Sequence, residues 1–235
     1  MTCRTFAHVL AAAAVATIAP WGLPQQTATA APCSDIEVVF ARGTAEPPGL
    51  GFTGQSLTEA LRAKAGGRSV AAHPVDYPAS SDFTDTRVFA GTVLDGIRDA
   101  HKRLAAVVAA CPGTKIVLGG YSQGAALAGF ATIADTPDGV TEADAKYLPS
   151  PLAPEVADHV AAVVLFGGPS DRWMADVGAP PVRVGPAYAH KTLELCVAGD
   201  TICDGSPAGP PNGLHVLYAA NGMTLQAADY ALARM

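Results

Sequence analysis

A serine hydroxyl attacks a carbonyl carbon when a base takes its proton and a carboxylate holds that base. The sequence offers three such groups in order: Ser122, then Asp200, then His215. Ser122 lies in Gly120-Tyr121-Ser122-Gln123-Gly124, after the apolar run Ile116-Val117-Leu118 and before Ala125-Ala126-Leu127-Ala128. A serine on such a strand–turn–helix connection is forced into a strained conformation that lifts its hydroxyl clear of the sheet, and acid then histidine follow it in the chain. The helix that follows points free N–H groups at the turn, where negative charge develops. Chance Gly-x-Ser-x-Gly turns occur in any chain rich in Gly and Ala; the strand before and the helix after separate this one from them.

The order filters the partners. His73 and His101 precede Ser122, and His159 and His190 precede the best acid, so His215 is the expected base. Asp200 falls in Cys196-Val197-Ala198-Gly199-Asp200-Thr201-Ile202-Cys203, just past a late strand, where an aspartate can orient an imidazole. Asp204 is its rival and reads as a solvated turn residue. The oxyanion needs two donors. The N–H of Gln123 is one, and the loop Arg42-Gly43-Thr44 supplies the other, through the backbone N–H or hydroxyl of Thr44.

The elements that must carry these groups alternate. Strands are predicted over 36–41, 69–75, from Lys115 up to the Gly120-x-Ser122-x-Gly124 turn, 160–166 and 192–197. Ser56-Leu57-Thr58-Glu59 reads as a capping box that opens a helix ending at Gly66-Gly67. A long amphipathic helix is predicted over 84–110, with Val88, Val93, Leu94, Ile97, Leu104, Val107 and Val108 inward. The elbow helix runs to about 134, residues 135–158 read as a helix fragment plus loop, and a last helix covers roughly 219–233. Buried strands alternating with helices mean an α/β fold: one parallel sheet of about five strands, covered on both faces, with ligands beyond its carboxyl ends. Leu50, Phe52, Tyr77-Pro78-Ala79, Leu214 and Val216 read either as an apolar rim for an acyl chain or as ordinary surface apolar residues.

Of the 235 residues, 49% are apolar and 15% charged, which suits one compact domain and excludes disorder. A net charge of −6 with no basic cluster argues against nucleic acid as a partner. Residues 1–30 read as a secretory signal: Arg4, an apolar run from Phe6 to Ala19, then Ala28-Thr29-Ala30 at the cleavage point. That run is shorter than the ~20 residues needed to span a membrane. The mature chain, 31–235, is therefore expected to be exported, without a transmembrane segment, and monomeric. Cys33, Cys111, Cys196 and Cys203 remain in it, an even set that allows three pairings. Cys196 and Cys203 bracket a short loop and form the natural local pair, which leaves Cys33 for Cys111. There is no Cys-x-x-Cys and no paired histidine spacing, so no metal is expected.

Phe40-Ala41-Arg42-Gly43-Thr44-x-Glu46, Gly120-Tyr121-Ser122-Gln123-Gly124, Phe166-Gly167-Gly168-Pro169, the Cys196–Cys203 loop and His215 together resemble the cutinase family, above all its mycobacterial and other actinobacterial members. The resemblance spans about 33–235. It implies a small lidless α/β hydrolase with Ser122, Asp200 and His215 as triad, Thr44 and Gln123 as oxyanion donors, and disulfides Cys33–Cys111 and Cys196–Cys203. It also implies hydrolysis of carboxylic esters, from short-chain esters to lipids and cutin, with no cofactor. Thr44 stands where fungal members commonly carry serine, and the loop with Pro207, Pro210 and Pro211 differs from theirs, so acyl-chain preference does not carry over. Acetyl xylan esterase, phospholipase or lipase activity on the same fold, or an exported binding protein with a vestigial triad, are the other readings. Because His215 must be neutral to act as base, activity is expected to rise as pH passes roughly 6.5.

Overall fold

The computed structural model describes residues 33–235. The expected signal segment, 1–30, lies outside them. Five strands follow one another through the chain: β1 (Ile36–Ala41), β2 (Val70–Pro74), β3 (Lys115–Tyr121), β4 (Val160–Phe166) and β5 (Thr192–Leu195). All neighbours are parallel, in the order β2-β1-β3-β4-β5. Parallel strands need crossovers, and the helices provide them. They are α1 (Gly51–Lys64), α2 (Thr86–Ala110), α3 (Gln123–Phe130), α4 (Glu142–Ala145), α5 (Pro154–His159), α6 (Asp171–Asp176), α7 (Pro186–Ala189) and α8 (Met223–Leu232).

The two-residue period of the strands divides the core into two layers. Val39, Ala41, Ile116, Leu118, Val163 and Leu165 face α2, α3, α5 and α7. Val38, Phe40, Val117, Val164 and Phe166 face α1 and α8. β1, β3 and β4 lie inside the sheet, which is why their sequences are apolar almost throughout rather than alternating. Glu37 is the exception in β1. It is buried and receives the Arg103 guanidinium of α2, Nη2 to Oε2 at 2.8 Å and Nε to Oε1. α3 is enclosed from Gln123 to Gly129, and small Ala and Gly side chains are what allow a helix to be buried all round.

Several boundaries differ from the sequence reading. α1 begins at Gly51, five residues before the supposed capping box, and Ser56 does not cap it. Its hydroxyl instead donates to Ala219 O at 3.0 Å and lies 2.9 Å from Thr224 Oγ1, tying α1 to the entry of α8. α8 starts at Met223, held back by Gly222 in the left-handed region (φ 89°). α3 stops at Phe130 and β5 at Leu195. α2 begins at Thr86, capped by the Asp85 carboxylate, and its first turn projects beyond the sheet, so Val88 is 63% exposed rather than inward.

Candidate active site

The carboxyl ends of β1, β3, β4 and β5 carry the candidate residues. β3 leads into Ser122 at φ 54° and ψ −119°, a conformation that a non-glycine residue adopts at a cost. The turn is tight enough to forbid side chains on both flanks. A Cβ on Gly120 would lie 1.9 Å from Gly124 O, and one on Gly124 2.1 Å from Ala41 O. The two glycines are thus required by close approach, of helix to strand and of turn to β1. The Ser122 N–H is held by Phe166 O of β4 at 2.8 Å.

His215 enters from the loop before α8. Its Nε2 lies 2.8 Å from Ser122 Oγ and its Nδ1 2.8 Å from Asp200 Oδ2. With the ring proton on Nδ1 donated to Asp200, Nε2 is left to accept the Ser122 hydroxyl proton. The imidazole is buried, its ring stacked 5.0 Å from Tyr121, whose hydroxyl donates to His215 O at 2.7 Å. Asp200 is fully buried. Its Oδ1 accepts the Ile202 N–H at 3.1 Å, and its Oδ2 accepts the Tyr218 hydroxyl at 2.5 Å as well as the imidazole N–H. Asp204 is exposed, its carboxylate taken by the Ser206 N–H, as a solvated turn residue would be. The other histidines of the described chain stand apart from this group: His73 pairs with Asp99, His101 with Ala131 O, His159 is half-buried at the end of α5, and His190 is exposed.

Gln123 is the first residue of α3, so its backbone N–H has no carbonyl a turn earlier to bond. Its side chain turns away, Nε2 donating to Ser80 O at 3.3 Å. The loop after β1 is braced on both sides of Thr44. The Glu46 carboxylate accepts the Gly43 N–H at 2.5 Å and the Phe52 N–H at 2.9 Å, so one side chain holds the loop and the start of α1 together. The buried Arg42 donates to Glu46 O at 2.8 Å and to Tyr77 O at 2.6 Å, with its guanidinium over the Tyr77 ring. Thr44 itself makes no hydrogen bond to another described residue, so its N–H and hydroxyl stay available. Burial pushes the phenols of Tyr77 and Tyr121 well above the ordinary tyrosine range, which keeps both protonated as donors.

Cys196 and Cys203 are bonded and close the loop 197–202 that carries Asp200; Cys33 is bonded to Cys111. The candidate apolar rim divides. Phe52 and Val216 are 78% and 70% exposed, Phe52 with its N–H on Glu46 and Val216 next to His215, whereas Tyr77 and Ala79 are core residues of the loop after β2. An open depression of about 870 Å³ lies between the loops 42–48 and 76–82, with Arg42, Glu46, Pro47, Ser80 and Asp95 in its walls; Ser122 and His215 are not among them. Tyr218 was not singled out from the sequence, and Arg42 and Glu46 entered only within the loop motif, with no role of their own. The spacing His215-x-x-Tyr218, which places a large polar aromatic close after the histidine, is the one signal that could have found the first.

A family model described as Cutinase matches residues 32–235. The chain belongs to the cutinase family. It is 49% identical over 172 residues to the probable carboxylesterase Culp7 of Mycobacterium tuberculosis (strain ATCC 25618 / H37Rv), covering 72% of this chain and 87% of that one. To the phospholipase Culp4 of the same strain it is 40% identical over 204 residues, covering 86% and 80%. Among solved structures, a Trichoderma reesei cutinase in complex with a C11Y4 phosphonate inhibitor superposes with a TM-score of 0.61 at 30% identity, over 86% of this chain and 77% of that one. The five-stranded parallel sheet is the one the alternation of strands and helices led us to expect, and its fold is the α/β hydrolase that the family resemblance implied.

Proposed function

We propose that this cutinase-family ester hydrolase is a secreted serine esterase that works through Ser122, His215 and Asp200. The observation that carries the reading is the continuous chain of hydrogen bonds from Ser122 Oγ through both nitrogens of His215 to a buried Asp200. His215 Nε2 takes the hydroxyl proton as Oγ bonds to the ester carbonyl carbon. The electron pair moves onto the carbonyl oxygen, which the N–H of Gln123 and the N–H or hydroxyl of Thr44 stabilise. The tetrahedral intermediate collapses, the imidazolium gives its proton to the departing alcohol oxygen, and the acyl group remains on Ser122. Water, deprotonated by His215, then releases the acid and restores the serine. Every group the cycle uses is a side chain or backbone amide of this chain.

The substrate class we assign is short- to medium-chain acyl esters. Phe52 and Val216 support it, because both are apolar, exposed and adjacent to groups of the site. A phospholipid is the second reading, favoured by the likeness to a relative named a phospholipase and by the same apolar pair. Export is supported by two disulfides, which persist in oxidising compartments.

Hydrolysis of p-nitrophenyl esters of graded chain length, triglyceride, phospholipid and cutin by wild type and Ser122→Ala tests this. We expect hydrolysis by the wild type to fall by about 10³-fold or more in the variant. Equal rates for the two proteins would contradict the mechanism, and a wild type inert to every ester would favour a binding role instead.

A further inference from the structure

We infer that Tyr218 is a positioning residue of the reaction, the fourth member of the hydrogen-bond chain Ser122–His215–Asp200–Tyr218, which sets the direction and charge of Asp200. The inference rests on the serine-esterase reading. Three observations support it. First, the Tyr218 ring is fully buried and seated edge-on to Phe166 and His215, in a space left open because Gly167 has no Cβ; one there would lie 2.8 Å from the ring. The ring therefore has one place to be. Second, the hydroxyl is oriented. It accepts the Val197 N–H at 3.1 Å, so its single hydrogen is directed to Asp200 Oδ2 at 2.5 Å. Third, that oxygen is the one that receives His215 Nδ1, so phenol and imidazole compete for the same charge.

Two consequences follow. Ile202 N–H on Oδ1 and Tyr218 on Oδ2 grip the carboxylate from both sides and hold the lone pair used by the imidazole in line. The phenol also draws carboxylate charge away from the ring, so His215 gives up its proton to the leaving alcohol more readily than it would to an ungripped aspartate. Burial first, and the donation to Asp200 second, hold the phenol protonated throughout the working pH range. The ionisable groups that face His215 are Asp200, Tyr121 and Tyr218, and Tyr121 addresses the backbone oxygen of His215 rather than its ring.

The test is a double-mutant cycle of Tyr218→Phe and Asp200→Asn, read on a p-nitrophenyl ester with Ser122→Ala as blank. Tyr218→Phe keeps the ring and removes the hydroxyl. We expect kcat to fall about tenfold with KM nearly unchanged, and the acid limb of kcat/KM to move up by about half a pH unit. In the Asp200→Asn background the same substitution should change kcat by less than about twofold, because its target is gone. The position of the limb does not depend on how much protein is folded, so a less stable Tyr218→Phe still answers. Equal losses in both backgrounds, or a limb that stays where it is, would overturn the inference and leave the esterase reading intact. A Ser122→Ala protein as active as wild type would remove that reading itself.

Discussion

Asp200 is where a single atom counts for most. Each of its oxygens faces N–H or O–H donors and none faces water. An amide at this position would set its own N–H against Ile202 in one orientation, and against His215 and Tyr218 in the other. The imidazole would relieve the second clash by moving its proton to Nε2, where Ser122 needs an acceptor. Asp200→Asn should therefore lower kcat by about 10³–10⁴-fold while the fold survives, as steady-state kinetics beside a thermal melt will report. An unchanged kcat would point to Asp204. At this scale the sequence was informative where chemistry imposes an order: the elbow and the last histidine pick out Ser122, Asp200 and His215, which the fold brings within hydrogen-bond reach of one another. Tyr218 and Arg42 did not follow, because depth below the surface and distance across the fold define them, and neither leaves a periodic trace.

The elements bear the same lesson in their ends. β1, β3 and β4 were legible because strands buried on both faces must be apolar throughout. The start of α1 was not. Leu50 caps the helix without a side-chain bond, and the first-turn N–H of Phe52 goes to Glu46, outside the helix and serving the loop of Thr44 as well, so a capping box inside the helix was the wrong signal to follow. Likewise Tyr77 and Ala79 looked like surface apolar residues of a loop, and are core because Arg42 pulls that loop down. α2 carries a further dependence, on pH. His101 donates to Ala131 O just past the elbow helix, and burial lowers its pKa although carbonyls of Ala131 and Ser150 favour the charged form. A lowered pKa means that the unfolded chain binds more protons in the window below about 6.5. Stability is then highest above that window and is lost as pH falls through it. We expect the unfolding free energy to decline from pH 7 to 5, and His101→Gln to flatten the decline, as denaturant titrations at each pH will show. A variant with the wild-type slope would exclude His101 as the source.

At the scale of the whole molecule the two disulfides divide their labour. Cys33–Cys111 joins residues 78 apart and ties the start of β1 to the end of α2, far from the serine. Its loss, as Cys33→Ser with Cys111→Ser, should cost roughly 3–4 kcal/mol of stability through the freed unfolded chain and leave kcat near wild type. Cys196–Cys203 joins residues only 7 apart, so its larger effect should be on kcat, through the loop that carries Asp200. Unfolding curves set beside kinetics for both double variants separate the two roles. The family, the sheet and both cysteine pairs were legible from the chain; the proposed acyl-chain preference rests on exposed surface such as Phe52 and Val216, where packing imposes no pattern. The central claim is that Ser122 becomes acylated. Intact mass and peptide mapping after treatment with diethyl p-nitrophenyl phosphate test it most directly. A single diethylphosphoryl adduct on Ser122, formed in step with loss of esterase activity and absent from His215→Ala, is the predicted result. Full inactivation with the adduct on another residue, or hydrolysis that continues with Ser122 fully modified, would contradict it.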